Sequence, residues 1–349
     1  MNVLFLEGDM SRRGGTERMT AWLSSMLSRN HTVLILSLRQ EHGEPFFPLA
    51  KEVSHGVLRR RKTLGQIKEI KQFIRAHAIE VVINVDTGMG YIGILASKGT
   101  GAKVITWEHS NFFNNWDSRI FPYLRRFAAK KSDALVVLTR RDRHNYERNV
   151  KSCTQVFTIP NPAKNEEVLY DLQSKTILSI GLLAKIKRFD LIVPTGKLVF
   201  ARHPDWRWVL CGDGPERETL ENAVREAGLE KHVLFRGSVK DPDKEYAGAA
   251  MYVLTSEKEG LPMVLLEAKS HGLPIVSFDI ETGPGDVVRH GINGYLVASG
   301  DTVALAERIC ELIENSALRK DFSDHAKLDM ENFNEETILK QWETLIRGL

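Results

Sequence analysis

The chain is poor in several things that would each have pointed to a function. Its 349 residues hold three cysteines, Cys153, Cys211 and Cys310, scattered without metal-ligand or disulfide spacing, so a reducing compartment is expected. No apolar run approaches the ~20 residues needed to cross a bilayer. Val3-Leu4-Phe5-Leu6 is too short for a secretory leader and runs at once into acidic residues. There is no internal repeat and no low-complexity tract. A Gly-x-Gly-x-x-Gly fingerprint is missing, which leaves a dehydrogenase reading with little support. No Ser-His-Asp or Cys-His arrangement suggests nucleophilic catalysis.

What is present describes an ordinary globular protein: 42% hydrophobic and 27% charged residues, with a length that fits two domains. The net charge of +3 conceals an asymmetry. Up to Lys164 there are 26 Lys and Arg against 14 Asp and Glu, and beyond it 22 against 31. A basic half joined to an acidic half suggests that the first half meets an anionic surface or acceptor. Nucleic acid is disfavoured, because the basic residues lack interleaved stacking aromatics and any nucleic-acid motif. An anionic membrane fits better, through Arg59-Arg60-Arg61-Lys62 with the helix that follows, and through Arg125-Arg126 and Lys130-Lys131 on a second helix. The chain is therefore expected in the cytoplasm, peripheral on the inner face of the plasma membrane.

Strand-like and helix-like segments alternate throughout. In the first half the strands are Val3–Leu6, Thr32–Leu38, Val81–Asn84, Val104–Thr106, Ala134–Leu138 and Val156–Ile159, separated by amphipathic stretches such as Glu17–Leu27, Leu64–Ala76, Arg119–Lys131 and Arg140–Asn149. Ile159-Pro160-Asn161-Pro162 breaks the pattern and reads as a linker. Ile177–Ile180, Trp208–Cys211, Val233–Phe235, Met251–Leu254, Pro274–Phe278 and Tyr295–Val297 repeat the scheme, and the end is helical. Such alternation predicts α/β architecture with doubly wound parallel sheets.

The most informative stretch runs from Met251 to Gly272. Met251–Leu254 is a buried strand, Ser256 to Leu261 a polar loop, and Met263 to Ser270 a helix with Pro262 in its first turn and Gly272 past its end. The order strand, loop, helix start is where ligands sit in parallel sheets. The free N–H groups of Met263, Val264 and Leu265 make an anion site. Glu259 in the loop and Glu267 in the helix repel phosphate but accept bonds from sugar hydroxyls. A diphosphate flanked by two polyols is a nucleotide sugar.

The string resembles the Glu-x7-Glu block of glycosyltransferase family 4, retaining enzymes of the GT-B fold. That resemblance implies that Glu259 contacts the donor sugar and Glu267 the ribose. Arg13-Gly14-Gly15-Thr16-Glu17-Arg18 resembles the family's Gly-Gly-x-Glu-Arg loop, which implies roles for Gly15 near the donor phosphates and for Gly14, Glu17 and Arg18 near the acceptor; the paired glycines would allow positive φ and close approach. Trp107-Glu108-His109-Ser110-Asn111 resembles the Glu-His-Ser-Asn segment of family members that build lipid-linked oligosaccharides. By that likeness His109 contacts the donor sugar or acceptor hydroxyl, with Glu108 and Asn111 on the acceptor side. Gly181-Leu182-Leu183-Ala184-Lys185-Ile186-Lys187-Arg188 matches the family's diphosphate-binding Lys at Lys187, but Leu182 stands where an Arg is expected. Arg188, Lys185 or one of Arg12, Arg13 and Arg18 would have to substitute. Gly212-Asp213-Gly214-Pro215 resembles a family turn, and Gly237 ends a strand that borders the nucleobase there.

The resemblance covers nearly the whole chain. It implies two Rossmann-like domains facing a cleft: an acceptor-binding domain over 1–165, a donor-binding domain over 166–330, and a final helix over 331–349 packing back on the first, with Trp342 and Leu345 as its buried face. The expected reaction moves a sugar from a UDP-sugar to a growing, polyprenyl-diphosphate-linked glycan with retention. Glu259, His109 and Lys187 are the expected catalytic residues; donor contacts also come from Gly181, Arg188, Gly260, Leu261 and the helix start. No metal or other cofactor is expected, and Asp241-Pro242-Asp243 is rejected as a metal motif because Pro between the acids favours a turn. A UDP-sugar 2-epimerase of the same fold, or a non-catalytic glycan- or membrane-binding protein on this scaffold, are the alternatives.

Overall fold

A computed structural model describes residues 1–115, 118–164 and 170–349. Two compact units emerge, one of Met1–Asn161 with Glu336–Leu349 and one of Pro162–Glu335. The boundary expected at 165–166 lies outside the described residues.

The first unit is built on seven strands: β1 (Asn2–Glu7), β2 (Thr32–Ser37), β3 (Val53–Val57), β4 (Val81–Val85), β5 (Lys103–Trp107), β6 (Ala134–Val137) and β7 (Val156–Thr158), ordered β3-β2-β1-β4-β5-β6-β7. All neighbours are parallel, for example Val3 beside Val33 on one side and Val81 on the other. Strands covered on both faces need continuous apolar runs, and Val3 to Phe5 and Val81 to Ile83 are fully buried accordingly.

The second unit repeats the plan with six strands: β8 (Thr176–Ile180), β9 (Arg207–Cys211), β10 (Val233–Gly237), β11 (Met251–Leu254), β12 (Ile275–Asp279) and β13 (Gly294–Ala298), ordered β10-β9-β8-β11-β12-β13. Both sheets reverse direction of growth beside their first strand, between β1 and β4 and between β8 and β11. In open parallel sheets that reversal opens a crevice at the carboxyl edge, where ligands bind. The chain's two candidate ligand sites are thereby fixed by topology.

Two elements of the first unit were not anticipated. β3 pairs only with β2 at a sheet edge and is half exposed, so its sequence, Val-Ser-His-Gly-Val, carries little apolar signal. The helix Thr87–Ser97 contains Gly88, Gly90 and Gly93, residues that normally weaken helices. Here they are required by close approach: a Cβ at Gly93 would strike the Asn84 side chain, and one at Gly88 would strike the Phe121 ring.

The last helix, Glu335–Gly348, belongs to the first unit. Trp342 is buried and meets Trp107 edge-to-face at 5.0 Å, and the Glu343 carboxylate lies 3.0 Å from His31 Nε2. Ile338, Leu345 and Ile346 complete its buried stripe.

Candidate functional site

In the second unit, β8 ends at Ile180 and the chain turns through Gly181 into a short 3₁₀ turn, Lys185–Lys187. The loops after β8, β9 and β10 lie so close that side chains cannot fit between them. A Cβ at Gly212 would overlap the Gly181 carbonyl, and one at Gly214 would meet the Leu183 carbonyl oxygen at 2.5 Å. Backbone bonds bind the three together: Gly181 N–H to Cys211 O (2.9 Å), Leu183 N–H to Asp213 O (2.9 Å) and Gly212 N–H to Gly237 O (2.7 Å). The glycines of this region therefore pack loop on loop, and Gly237, at φ 70°, contributes its carbonyl to that packing.

This fixed loop presents Lys187. Its Nζ lies 2.6 Å from Oε1 of Glu259, with the side chains 26% and 11% exposed. Glu259 is held in turn: Thr282 Oγ1 donates to its carbonyl at 2.5 Å, and Gly283, at φ 97°, packs where a Cβ would sit 2.5 Å from Pro262 Cδ and 2.8 Å from Gly260 O. Thr282 and Gly283 were not singled out from sequence, because their role depends on contact with a loop more than twenty residues away. Leu261 turns inward and is 6% exposed, so only its backbone can face a ligand.

The helix Met263–Ser270 follows, with Pro262 in extended conformation as its N-cap and no side-chain cap. Among the described residues, the amides of Met263 and Val264 have no acceptor. The Leu265 amide does: it donates to Pro262 O at 3.0 Å, and Leu265 is fully buried. Leu265 therefore drops out of the expected anion site, which narrows to two amides backed by the helix dipole. One turn on, Glu267 accepts from Tyr246 Oη at 2.9 Å. The tyrosine is fully buried, and burial with the adjacent carboxylate pushes its pKa well above the ordinary value, so it remains a donor that orients Glu267.

The cations proposed to replace the missing arginine at Leu182 behave differently. Arg188 sits in a left-handed conformation, φ 50°, with its guanidinium on Asp190 at 3.0 and 3.1 Å, so it is engaged within its own loop. Lys185 extends into solvent from the same turn as Lys187, and Leu182 is 60% exposed. Asp241 pairs with Lys244, and Asp243 lies 3.6 Å from His271 on the same short helical segment and its neighbour.

In the first unit, a cavity of about 720 Å³ opens at the carboxyl ends of β1 and β4. It gathers Gly14, Gly15, Glu17 and Arg12, all singled out from the sequence, with Glu7 and Gly8 from the end of β1, with Arg61, which was expected on a membrane-facing surface, and with Arg39 and Asp86, which were not anticipated. Neither Gly14 nor Gly15 adopts positive φ. Gly14 instead leaves room for the Glu17 carboxylate, which folds over it and pairs with Arg12 at 3.9 Å. Gly15 has nothing within 4 Å of its Cβ position, so its open face is available to a ligand. Arg18 is exposed on the same helix.

The segment after β5 corrects two expectations. Glu108 is fully buried: its carboxylate accepts from Thr87 Oγ1 (2.5 Å), Tyr146 Oη (2.9 Å) and Ser110 N (2.8 Å), and Arg125 Nε lies 3.5 Å away. Asn111 is 2% exposed and accepts the Phe113 amide at 3.0 Å. Both organise the turn rather than face an acceptor. Arg125 likewise leaves the basic surface, being 1% exposed and donating to Phe112 O at 2.5 Å, to Asn115 Oδ1 at 2.9 Å and to Asn114 O. Charges of this kind enter the interior only when paired, and Arg125 is paired with Glu108, although its Nε makes no hydrogen bond among the described residues. His109 is half buried against Trp107, ring centroids 4.1 Å apart, and its Nε2 has no partner among the described residues. Burial lowers its pKa to about 3, so the imidazole is neutral.

Two parallel sheets of this order, each with a ligand crevice at its reversal point and the second with a cation, a carboxylate and an open helix start, define a nucleotide-binding transferase architecture of the GT-B class. Family models agree along the chain: Glycosyltransferase Family 4 matches residues 13–166 and Glycosyl transferases group 1 matches residues 161–329. The chain belongs to this glycosyltransferase family. It is similar over 99% of its length to the amylovoran biosynthesis glycosyltransferase AmsD of Erwinia amylovora, 28% identical over 99% of that protein. It is equally similar, 28% over 99% of the chain and 98% of the relative, to the Campylobacter jejuni GalNAc-alpha-(1->4)-GalNAc-alpha-(1->3)-diNAcBac-PP-undecaprenol alpha-1,4-N-acetyl-D-galactosaminyltransferase. Among solved structures, Anabaena HepE in complex with UDP superposes with a TM-score of 0.83 over all of both chains at 17% identity, which supports the fold.

Proposed function

We propose that the protein is a retaining, metal-independent glycosyltransferase that moves a hexose or N-acetylhexosamine from a UDP-sugar to a growing, polyprenyl-diphosphate-linked glycan of a cell-surface polysaccharide. The observation that carries this reading is the Lys187–Glu259 pair beside the open amides of Met263 and Val264 at the reversal point of the second sheet. A diphosphate entering there takes Lys187 and the helix start, while Glu259 accepts from the sugar. Glu267, aimed by Tyr246, accepts from the ribose. Charge developing on the departing diphosphate meets a fixed cation and aligned dipoles, and such preorganised donors typically account for about 10²–10³ in rate each. That stabilisation stands in for a metal ion. The departing phosphate takes the acceptor proton, and neutral His109 bonds a hydroxyl near the reacting carbon.

The C. jejuni relative's lipid-linked acceptor and the AmsD relative's polysaccharide role support the acceptor class; the UDP in the HepE structure supports the donor. The basic clusters of the first unit that remain exposed, Arg59 to Lys62 above all, support peripheral contact with an anionic cytoplasmic leaflet. Among the described residues no helix is long and apolar enough to cross a membrane. Calorimetry with UDP, followed by a panel of UDP-sugars with a lipid-linked acceptor and mass detection of products, tests the proposal. Binding of UDP and a product heavier by one sugar are expected. Release of a free altered sugar without any acceptor would point instead to an epimerase.

A further inference from the structure

The pocket of the first unit carries chemistry that donor binding does not use. Its floor is carboxyl: Glu7 ends β1 and Asp86 follows β4, one on each side of the reversal point. Its rim is cationic, with Arg12, Arg39 and Arg61 all exposed.

Glu7 is largely satisfied. Its two oxygens accept from Gly8 N at 2.8 Å and Thr20 Oγ1 at 2.9 Å, and it is 3% exposed. Asp86 is not. Its Oδ1 accepts the Gly88 amide at 2.8 Å and so caps the helix Thr87–Ser97, but among the described residues its Oδ2 has no hydrogen-bond partner. Its backbone stands at φ 76°, a conformation outside glycine that persists only where surroundings enforce it and that clusters at ligand sites. A half-buried aspartate on the wall of a cavity, with one carboxyl oxygen unpartnered, leaves that oxygen to water or to the donor of a ligand.

The rim decides which donor. A cationic amine would have to pass three guanidinium groups, whereas a neutral hydroxyl would not. The rim groups differ in availability. Arg12 is partnered with Glu17, Arg39 has only an exposed pair with Glu41 at 3.6 Å, which water readily replaces, and Arg61 has no partner among the described residues. A cavity of about 720 Å³ accommodates a sugar and one phosphate.

We propose that Asp86 holds a hydroxyl of the acceptor sugar, and that Arg39 and Arg61 take a phosphate carried by the same acceptor. The inference rests on the glycosyl-transfer reading for the word acceptor, but its geometry belongs to the first unit alone. Asp86 titrates among Glu7, Glu17, Glu108, Arg125 and the rim arginines. Burial, then the Glu108 charge, raises its pKa to about 7, against the Gly88 amide and Arg125. It is therefore part ionised at neutral pH, and its hold on a hydroxyl strengthens as it loses its proton.

The test titrates glucose 1-phosphate and methyl glucoside into the full chain, with binding read by saturation-transfer NMR. Glucose 1-phosphate is expected to bind at least about tenfold tighter, the gain of one charge-assisted contact. The Arg39→Ala/Arg61→Ala double variant should erase that preference and leave methyl glucoside binding unchanged. Asp86→Asn keeps an acceptor for Gly88 and tolerates positive φ, so the fold should survive, checked by circular dichroism. It should weaken both probes about tenfold and flatten the pH dependence of methyl glucoside binding near pH 7, an effect that a purely structural role for Asp86 would not produce. A third arm, glucose on an isoprenyl diphosphate, locates the phosphate: tighter binding than glucose 1-phosphate assigns a lipid-borne group, and equal binding a phosphate on a free sugar. Equal affinity for the first two probes, or a folded Asp86→Asn chain that binds both as before, overturns the proposal. UDP calorimetry on the same samples keeps the two readings apart, because UDP bound normally beside an indifferent pocket overturns this inference alone, while glucose 1-phosphate bound with no UDP binding overturns the donor reading alone.

Discussion

Both units run their strands outward from the first in one direction and from the fourth in the other, and both open a crevice between them. The crevices are chemically opposite. In the first unit Glu7 and Asp86 stand at the ends of the flanking strands, and burial holds their pKa values near 8 and near 7. In the second, glycine-packed loops hold Lys187 against Glu259 beside an uncapped helix start. One topology thus supplies a wall of proton-holding carboxyls for hydroxyls in one copy and a cation with free amides for a diphosphate in the other. The difference lies in the few residues at strand ends, since the sheets themselves are near-duplicates.

The largest contrast should appear in stability. Arg125 and Glu108 are buried and share one network, while Lys175 and Asp205 make a 2.6 Å pair in the second unit with more than half of each side chain in water. Breaking a buried pair leaves an uncompensated charge at about 3–5 kcal/mol, and an exposed pair is worth under about 1 kcal/mol. Arg125→Met should therefore lower the urea midpoint severely, whereas Lys175→Met should barely move it. Comparable losses from the two would show that Glu108 finds another partner when Arg125 is gone.

Next comes activity at the second crevice. Lys187→Met is expected to cut transfer about 10²–10³-fold and to weaken UDP binding with it. Glu259→Gln should cut transfer by a similar factor but tighten UDP, because it releases Lys187 from its 2.6 Å partner. Opposite signs in calorimetry with UDP separate the cation's role from the carboxylate's. If both variants weaken UDP alike, the pair acts as a unit and the division of roles proposed above fails.

The pH response sharpens the comparison further. Glu7, Asp86 and Asp142 are raised to about 8, 7 and 8, burial being the main cause in each. A carboxyl with a raised folded pKa contributes stability in full below its unfolded value. That contribution is lost as pH climbs through the folded value. The first unit should thus weaken between about pH 4 and pH 8. In the second unit the buried Lys269 is lowered to about 8, so its effect falls between pH 8 and its ordinary 10.5 and has the opposite sign, with stability rising with pH. Hydrogen exchange corrected for intrinsic rates, read separately on peptides of β1 and β11, should show protection falling from pH 5.5 to 8 in the first only, and Glu7→Gln should reduce that slope.

The same contrast explains what could be read from residues alone. The second crevice is contiguous: strand, loop and helix lie in one run from Met251 to Ser270, and its apolar and polar blocks announce both order and chemistry. Two of its features escaped that reading, the Leu265 amide already used by Pro262 and the brace from Thr282 and Gly283, because each needs coordinates of a particular turn or a distant loop. The first crevice is assembled from pieces near residues 7, 14, 39, 61 and 86. Its helix Thr87–Ser97 is disguised by glycines, and Asp86 looks like any polar residue after a strand until its φ is known. Glu108 misled for the reverse reason. Its neighbours in sequence looked like a polar cluster, but the partners that bury it, Thr87, Arg125 and Tyr146, come from three other segments.

The smallest expected effect on the fold belongs to Gly15. It begins the helix Gly15–Leu27, has no positive φ, and leaves open space where a Cβ would be. Gly15→Ala removes backbone freedom from the unfolded chain and should stabilise by about 0.4–1 kcal/mol, a small rise in Tm. The contrast with Gly212 is direct, since there an added Cβ would overlap the Gly181 carbonyl and the loops of the second unit would have to part. Yet Gly15 lines the cavity of the first unit, so its open face is the space a bound acceptor or donor phosphate would fill. Gly15→Ala is therefore expected to raise Tm slightly while raising the KM for acceptor several-fold. An unchanged KM in the stabilised variant would mean that no ligand approaches that face, and that the glycine serves only the turn into the helix.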